Sequence, residues 1–392
     1  MKDSDAQGAP VVTRARRWLP AVALASAALL VSACGGDNEK AAGQGGNSES
    51  VKIGVILDQT GQAGFAGALA RRGFEYGIKE INDAGGVNGT KVEVEYADAA
   101  TDIKEATTLG TKLSRDDDIS AMVFGTQGAE ALAIAPIAQR EGVPLVTLYS
   151  GGPGVVETGD HIFRVTAPQK SYTHLEAEHL KNEGVKTIAL VYNNDSPTLQ
   201  ELGTKVWPQL AEENGLQVVS STKTSQATTD FSSFVSEVNN KKPDAVVLLL
   251  AGAANVTAIT GLQRAGFDGI IAGQPGMAGA ILEPLGDKAD GITYPIDFSP
   301  ESDREVAKRF VAKFGADANT YSAAGYDAAL MIAEGLRNTE KTSREGMLAG
   351  LTAAAKQGFE GASGPLTFEN RDAKVPGVLI EWRGGKETVI EP

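Results

Sequence analysis

Two stretches of this chain repeat one another, and the repeat restricts the fold more than any other feature. AMVFGTQGAEALAIAPIAQREG runs from Ala121 to Gly142, and AVVLLLAGAANVTAITGLQRAG from Ala245 to Gly266. Each reads as an apolar strand, a turn of small residues, a helix and a closing glycine, and the two have equal length. Each leads into another apolar run ending in a glycine-containing loop, Leu148 to Gly154 and Ile271 to Gly276. Upstream, Ala100-Thr101-Asp102 is echoed by Thr228-Thr229-Asp230. Strand, helix and second strand form the unit from which parallel sheets are built. Two such series at matching spacing predict an α/β protein of two similar, Rossmann-like lobes.

The segments around the repeat agree. Val51–Leu57 (VKIGVIL) predicts a buried strand and Ala68–Ala84 a helix, with Leu69, Phe74, Ile78 and Ile81 near helical spacing. Val92–Tyr96, Ala121–Phe124 and Pro144–Leu148 predict further strands, with a helix over Ala129–Arg140 between the last two. Asp102 stands where its carboxylate can accept free N–H groups of a helix running to Leu113. Thr187–Tyr192 opens the second series.

Ahead of these elements, Arg14, Arg16 and Arg17 precede an apolar run from Leu19 to Val31. That run is shorter than the ~20 apolar residues a membrane-spanning helix requires. A basic cluster, a short apolar core and small residues at a cut site mark a secretory signal. The small residues read Val31-Ser32-Ala33-Cys34, which resembles the lipobox of bacterial lipoproteins. That resemblance implies a signal peptide over 1–33 and a diacylglycerol on the Cys34 thiol. Cys34 is the only cysteine in 392 residues, so an intramolecular disulfide is excluded. Residues 34–50 hold no aliphatic side chain larger than Ala and cannot bury enough apolar surface to offset their ordering entropy, so a flexible tether is expected. The net charge of −14 repels phosphate backbones and anionic lipid. Nucleic acid is thereby excluded as a partner, and membrane contact is expected through the lipid anchor only, outside the cytoplasm.

In open parallel sheets, ligands bind beyond the carboxyl ends of the strands. Two lobes facing each other would place those ends around one cleft. The loops expected to line it are Gln59–Gly67, Thr126–Ala129, Tyr149–Gly152, Tyr192–Thr198, Ala251–Asn255 and Gly273–Gly276. They are small and polar, with a few aromatics (Phe65, Tyr149, Tyr192), and several precede helices whose exposed N–H groups favour a carboxylate.

INDAGGVNGTKVEVEYADAATD (81–102), GVPLVTLYSGG (142–152) and GASGPLTFENRDAK (361–374) are similar to the type I periplasmic binding proteins of the leucine/isoleucine/valine-binding family. The resemblance covers nearly all of Val51–Trp382. It implies the type I periplasmic binding protein fold, two Rossmann-like lobes joined by three hinge crossovers, here near Arg164–Gln169, Pro295–Phe298 and Pro365–Glu369. Lobe one would then comprise 51–165 plus 298–365, and lobe two 166–297 plus 366–392. It further implies a monomer without cofactor, whose partners are a small-molecule ligand and an ABC permease with its ATPase subunits.

By the family's pattern, Gln127, Gly128 and Ala129, together with Tyr149, Ser150 and Gly151, hold the ligand carboxylate, and Phe65 supplies an aromatic wall. Gly151 stands where the family has a hydroxyl residue. Tyr192, Asn255 and Gln274 complete the expected ligand-binding set. The family places an acid for the ligand's ammonium in the loop after the strand at 246–250. Here that loop reads Ala251-Gly252-Ala253-Ala254-Asn255, and a second acidic position at the first crossover reads Gln169. A buried ammonium without a partner costs several kcal/mol, more than half of the ~8 kcal/mol of a micromolar complex. A neutral amide, a urea-like compound or a carboxylic acid lacking an α-amino group is therefore expected, unless Asp195 or Glu157 reaches the cleft.

Other chemistries leave weaker traces. The glycines of Gly61–Gly67 follow GxxGxxG rather than the GxGxxG of dinucleotide sites. His174 and His179 are five steps apart and do not form the zinc-binding pair of HExxH, and His161 stands alone. No GxSxG elbow occurs, and Glu176, Glu178 and Glu183 read as a charged solvent face. No catalytic or metal site is expected. A ligand-sensing module for a signalling receptor is the alternative to a transport role.

Overall fold

The computed structural model describes residues 50–392, apart from 62, 150–151 and 279–280. The expected signal peptide, Cys34 and all but the last residue of the tether therefore lie outside the described residues, as do Ser150 and Gly151 of the expected ligand set.

The chain begins with β1 (Ser50–Leu57), α1 (Gly64–Asp83), β2 (Lys91–Asp98), α2 (Ile103–Ser114), β3 (Ile119–Phe124), α3 (Gly128–Arg140), β4 (Leu145–Thr147) and β5 (Ile162–Arg164). It continues with α4 (His174–Asn182), β6 (Thr187–Asn193), α5 (Pro197–Glu201), α6 (Trp207–Asn214), β7 (Gln217–Thr224), α7 (Ser232–Lys241) and β8 (Ala245–Leu249). After α8 (Ala253–Arg264), β9 (Ile270–Ala272) and β10 (Thr293–Ile296) come the helices α9 (Glu305–Phe314), α10 (Thr320–Arg337) and α11 (Arg344–Gln357). Five short strands close the fold: β11 (Phe359–Gly361), β12 (Gly364–Glu369), β13 (Asp372–Lys374), β14 (Val378–Arg383) and β15 (Lys386–Ile390).

Among the described residues these strands form two sheets, ordered β11-β12-β13-β5-β4-β3-β1-β2 and β15-β14-β10-β9-β8-β6-β7. The orders superimpose: β1 to β5 of one sheet correspond to β6 to β10 of the other, with parallel pairing throughout both sets. The repeated sequences occupy equivalent places, β3–α3 and β8–α8. Two lobes built alike follow from that correspondence.

The chain leaves the first sheet after Arg164, returns after Ile296, and leaves again between Lys374 and Val378. The last crossing differs from the expected Pro365–Glu369. β12 and β13 remain in the first sheet, because β13 pairs with β5 and carries β12 with it. The first lobe therefore extends to about residue 374 rather than 365.

Alternation along the strands sets the layers. Ile53, Val55 and Leu57 of β1 face Phe74 and Ile78 of α1, whereas Ile56 joins Met122 and Phe124 of β3 against α2 and α3. In the second lobe, Val246 and Leu248 pack with Phe234 and Ile259, and Val247 and Leu249 with Trp207 and Leu202. Each such buried side chain contributes ~1.5–3 kcal/mol. Glu176, read as part of a solvent face, is instead fully buried on α4, where it accepts the Thr293 hydroxyl at 2.6 Å. Burial pushes its carboxyl up to about 8, so the group sits in the core in its neutral form, which is why burial is tolerated.

Candidate functional site

Asp58, at the carboxyl end of β1, ties together the loops that follow three neighbouring strands. One oxygen accepts Thr101 N–H at 2.8 Å, from the loop after β2, and the other accepts the Thr126 hydroxyl at 2.8 Å, from the loop after β3. Asp98 performs the same service for the loop after β1, accepting Gln59 N–H at 2.9 Å. The helix expected from Ala68 starts earlier, at Gly64, and its Gly67 lies directly against Asp58: a Cβ there would sit 1.8 Å from its carbonyl oxygen. Phe65, expected on a loop, thus stands in the first turn of α1, 74% exposed, with its ring edge-on to Tyr321 at 6.5 Å.

Gln127 caps α3 with extended backbone and no side-chain bond, so the first-turn N–H groups of Gly128 and Ala129 are left to solvent or a ligand. Glu130, one residue further on, is 1% exposed, and one of its oxygens has no partner. Burial, and then the Asp58 carboxylate beside it, pushes the Glu130 carboxyl up to about 8. A neutral Glu130 leaves the positive end of α3 uncompensated at pH 7.

Tyr149 follows β4 with a positive φ of 53°, in the left-handed region that costs a bulky residue strain. Its ring lies 4.8 Å from Tyr321. Its hydroxyl bonds Thr320, whose own hydroxyl donates to the buried Asp297 carboxylate. Burial pushes Asp297 up to about 6, against the Thr320 bond and the N–H groups of Asp297 and Phe298 that favour its charge. At the far side of positions 150–151, Gly152 gives its carbonyl to Arg164 Nη1 at 2.9 Å.

Across from this loop stands the second lobe. A Cβ built on Gly152 would lie 3.8 Å from both Pro197 Cβ and Thr198 Oγ1, at the start of α5, and one on Gly128 would lie 3.9 Å from Gly152 N. The ends of β3, β4 and β6 therefore converge. Tyr192, at the end of β6, packs its ring into the second lobe's core, where a Cβ on Gly203 would come within 2.5 Å of it. Asn255 and Gln274 do meet, since both donate their amide nitrogens to the Leu250 carbonyl. Asn255 also reaches the Gly252 and Gly276 carbonyls, is fully buried, and keeps its oxygen without a partner. Asp195 accepts Gln226 N–H, tying the loop after β6 to the loop after β7, and Glu157 accepts Gly154 N–H within its own loop.

Of the expected ligand residues, the structure thus brings together Phe65 and Tyr149, through Tyr321, and Gly128 with the 149–152 loop. Sequence reasoning missed Asp58, Arg164, Asp297, Thr320 and Tyr321. Asp58 had a signal, an acid ending a buried strand before a Gly-rich turn; Thr320 and Tyr321 enter from a helix distant in sequence and had none. A cavity of about 530 Å³ opens between the first and third crossovers, lined by Glu157, Pro168, Lys170, Ser171, Arg371 and Ala373. None of the expected ligand residues lines it, and its Lys374 and Asp372 are paired with Glu369 and Arg164. Among the described residues, no group of three or more His, Cys, Asp or Glu is placed to hold a metal.

Comparison with known proteins bears on the same architecture. The family profile described as "Periplasmic binding protein" matches residues 50–386. A Leu/Ile/Val-binding protein homologue of Brucella melitensis is 23% identical over 348 residues, covering 87% of this chain and 94% of the relative. A leucine binding protein from Thermotoga maritima superimposes with a TM-score of 0.75 at 25% identity, over 87% of this chain and 97% of that one. A solute binding protein from Rhodopseudomonas palustris, solved in complex with 4-hydroxybenzoate, superimposes with a TM-score of 0.75 at 22% identity, over 88% and 96% of the two chains.

Proposed function

Because the chain belongs to the periplasmic binding protein family, in its leucine/isoleucine/valine-binding branch, we propose that it is the lipid-anchored substrate-binding component of an ABC importer, and that its ligand is a small carboxylic acid without an α-ammonium group. The chain is a binding protein, as its relatives are, and works outside the cytoplasm. Among the described residues, no helix is long and apolar enough to cross a membrane. The anchor in this reading is Cys34, outside the described residues. Replacing Cys34 with Ala should move the protein from the membrane fraction to the soluble one, and unchanged retention would refute the anchor.

The observation that carries the ligand reading is the state of the acids around the cleft. The stretches directly after β8 and β9, Leu250–Asn255 and Gly273–Ala278, contain none. Asp195 and Glu157 are engaged by backbone N–H groups of their own surroundings. Asp297 is 5% exposed and already holds Thr320. Asp58 is likewise held by the N–H of Thr101 and the Thr126 hydroxyl, so an ammonium brought into this cleft finds no carboxylate free of other partners, and that deficit costs several kcal/mol. A carboxylate finds the opposite: the uncapped start of α3 with a neutral Glu130 behind it. Phe65, Tyr321 and Tyr149 offer an aromatic wall for a ring or a branched chain. The 4-hydroxybenzoate complex of the Rhodopseudomonas palustris protein illustrates such a ligand in the same fold.

Capture follows from the two lobes. Ligand touching both stabilises the closed arrangement, because only there are both sets of contacts made. A thermal-shift screen of amino acids, amides, urea and aromatic acids tests this reading. A ligand at 100 times its Kd adds ~2.7 kcal/mol to the folded state. Acids should raise the melting temperature and the matching α-amino acids should not.

A further inference from the structure

The segments leading into the three crossovers converge on one loop. Arg164 is the last residue of β5, where the first crossover begins, and its side chain is 2% exposed. Its Nε donates to Asp372 Oδ1 at 2.7 Å and its Nη2 to the other Asp372 oxygen, while Nη1 donates to the Gly152 carbonyl at 2.9 Å. Asp372 opens β13, which runs directly into the third crossover. On the other side, the Tyr149 hydroxyl bonds Thr320, and Thr320 donates to Asp297, the first residue after β10 and the start of the second crossover. The backbone of Tyr149 sits at φ 53°, which a tyrosine adopts only when its surroundings hold it there.

We infer that Arg164, Asp372, Thr320 and Asp297 are positioning residues that clasp the ligand loop at Tyr149 and Gly152 and tie it to all three crossovers. The inference rests on the reading of this loop as a ligand contact. A bidentate guanidinium–carboxylate pair fixes orientation as well as distance, so Gly152 cannot shift without breaking its bond to a guanidinium that Asp372 holds in place. Tyr149 likewise cannot shift without breaking its hydrogen bond to Thr320, which in turn holds Asp297. A ligand seated on the loop is thereby felt at the segments that rotate when the lobes close, and hinge rotation in turn alters the loop.

The test is amide hydrogen exchange, followed segment by segment on the purified full-length protein. Variants are R164M, R164K, T320V and T320S, with D372N addressing the same pair from its other side should R164M fail to fold. R164M and T320V should raise exchange across 148–154 by about tenfold or more, the effect of losing a hydrogen bond to a charged group or to its partner. β6 and α8 should keep wild-type protection. T320S, which retains the hydroxyl, should restore protection, and R164K should do so only in part. A uniform rise over the whole chain, or no change at 148–154, overturns the inference, because a merely stabilising ion pair would act globally. Exchange needs no ligand, so this result stands apart from the ligand reading. Titrating the wild type with 4-hydroxybenzoate and 4-methylpentanoate decides that reading separately: binding of either supports it, and binding of neither contradicts it.

Discussion

Glu130 and Glu176 are carboxyl groups that the fold keeps neutral, and each makes a pH dependence that can be measured. Glu130 ionises as pH rises through about 8, placing a charge in the first turn of α3 beside Asp58. Affinity for an anionic ligand should then fall by about three- to tenfold between pH 7 and 9.5, since like charges in a partly buried site repel. E130Q should flatten that decline, and an equal decline in the variant would show that another group is responsible. For Glu176 the readout is stability. Its folded carboxyl titrates near 8 against an ordinary value of 4.5, with burial as the first cause. The native state therefore holds a proton that the unfolded state has lost, and the stability this lends is complete below about 4.5 and lost as pH rises through 8. E176Q keeps a neutral group that can still accept the Thr293 hydroxyl. Denaturant titration at pH 9 should find the variant more stable by about 3–5 kcal/mol, with the gap closing toward pH 5. A gap independent of pH would mean that Glu176 is not titrating.

The elements are held by close contacts that only small residues allow. α1 and α10 cross where Gly73 and Gly325 each face a backbone carbonyl: a Cβ on Gly73 would stand 1.9 Å from Ser322 O, and one on Gly325 1.9 Å from Ala70 O. G325A should cost about 1–3 kcal/mol, because the helices must separate to admit the methyl group. The melting temperature will report it, and an unchanged value would mean that the crossing is looser than it stands. This crossing also delivers Thr320 and Tyr321, at the start of α10, to Tyr149 and Phe65. The elements themselves were legible from the sequence, since β-branched runs, helical spacing and the Asp102 cap are local signals; Asp102 accepts Lys104 and Glu105 N–H as its position suggested. The packing of Tyr192 was not legible, because an aromatic at a strand's end can turn either way and the contact of its ring with Gly203 depends on the following helical segment. The third crossover misled because β12 and β13 are too short for their sequence to declare which sheet they join. Glu176 misled because alternating acids look solvated until the helix's packing face is known.

At the scale of the whole molecule, two sheets share a superimposable strand order, and the carboxyl ends of β3, β4 and β6 meet between them. The repeat was legible because it is written in equal spacing; the chemistry of the cleft was only partly so, because it draws Asp297, Thr320 and Tyr321 from the far side of the chain. In the proposed reading the cleft takes a carboxylate and offers no free acid to an ammonium. The most direct measurement is a pair of calorimetric titrations of the purified protein, with leucine and with 4-methylpentanoic acid, which share a side chain and differ in the α-amino group. The account predicts one site per chain, with the des-amino acid binding at least about tenfold more tightly. Micromolar binding of leucine with no binding of 4-methylpentanoic acid would contradict it.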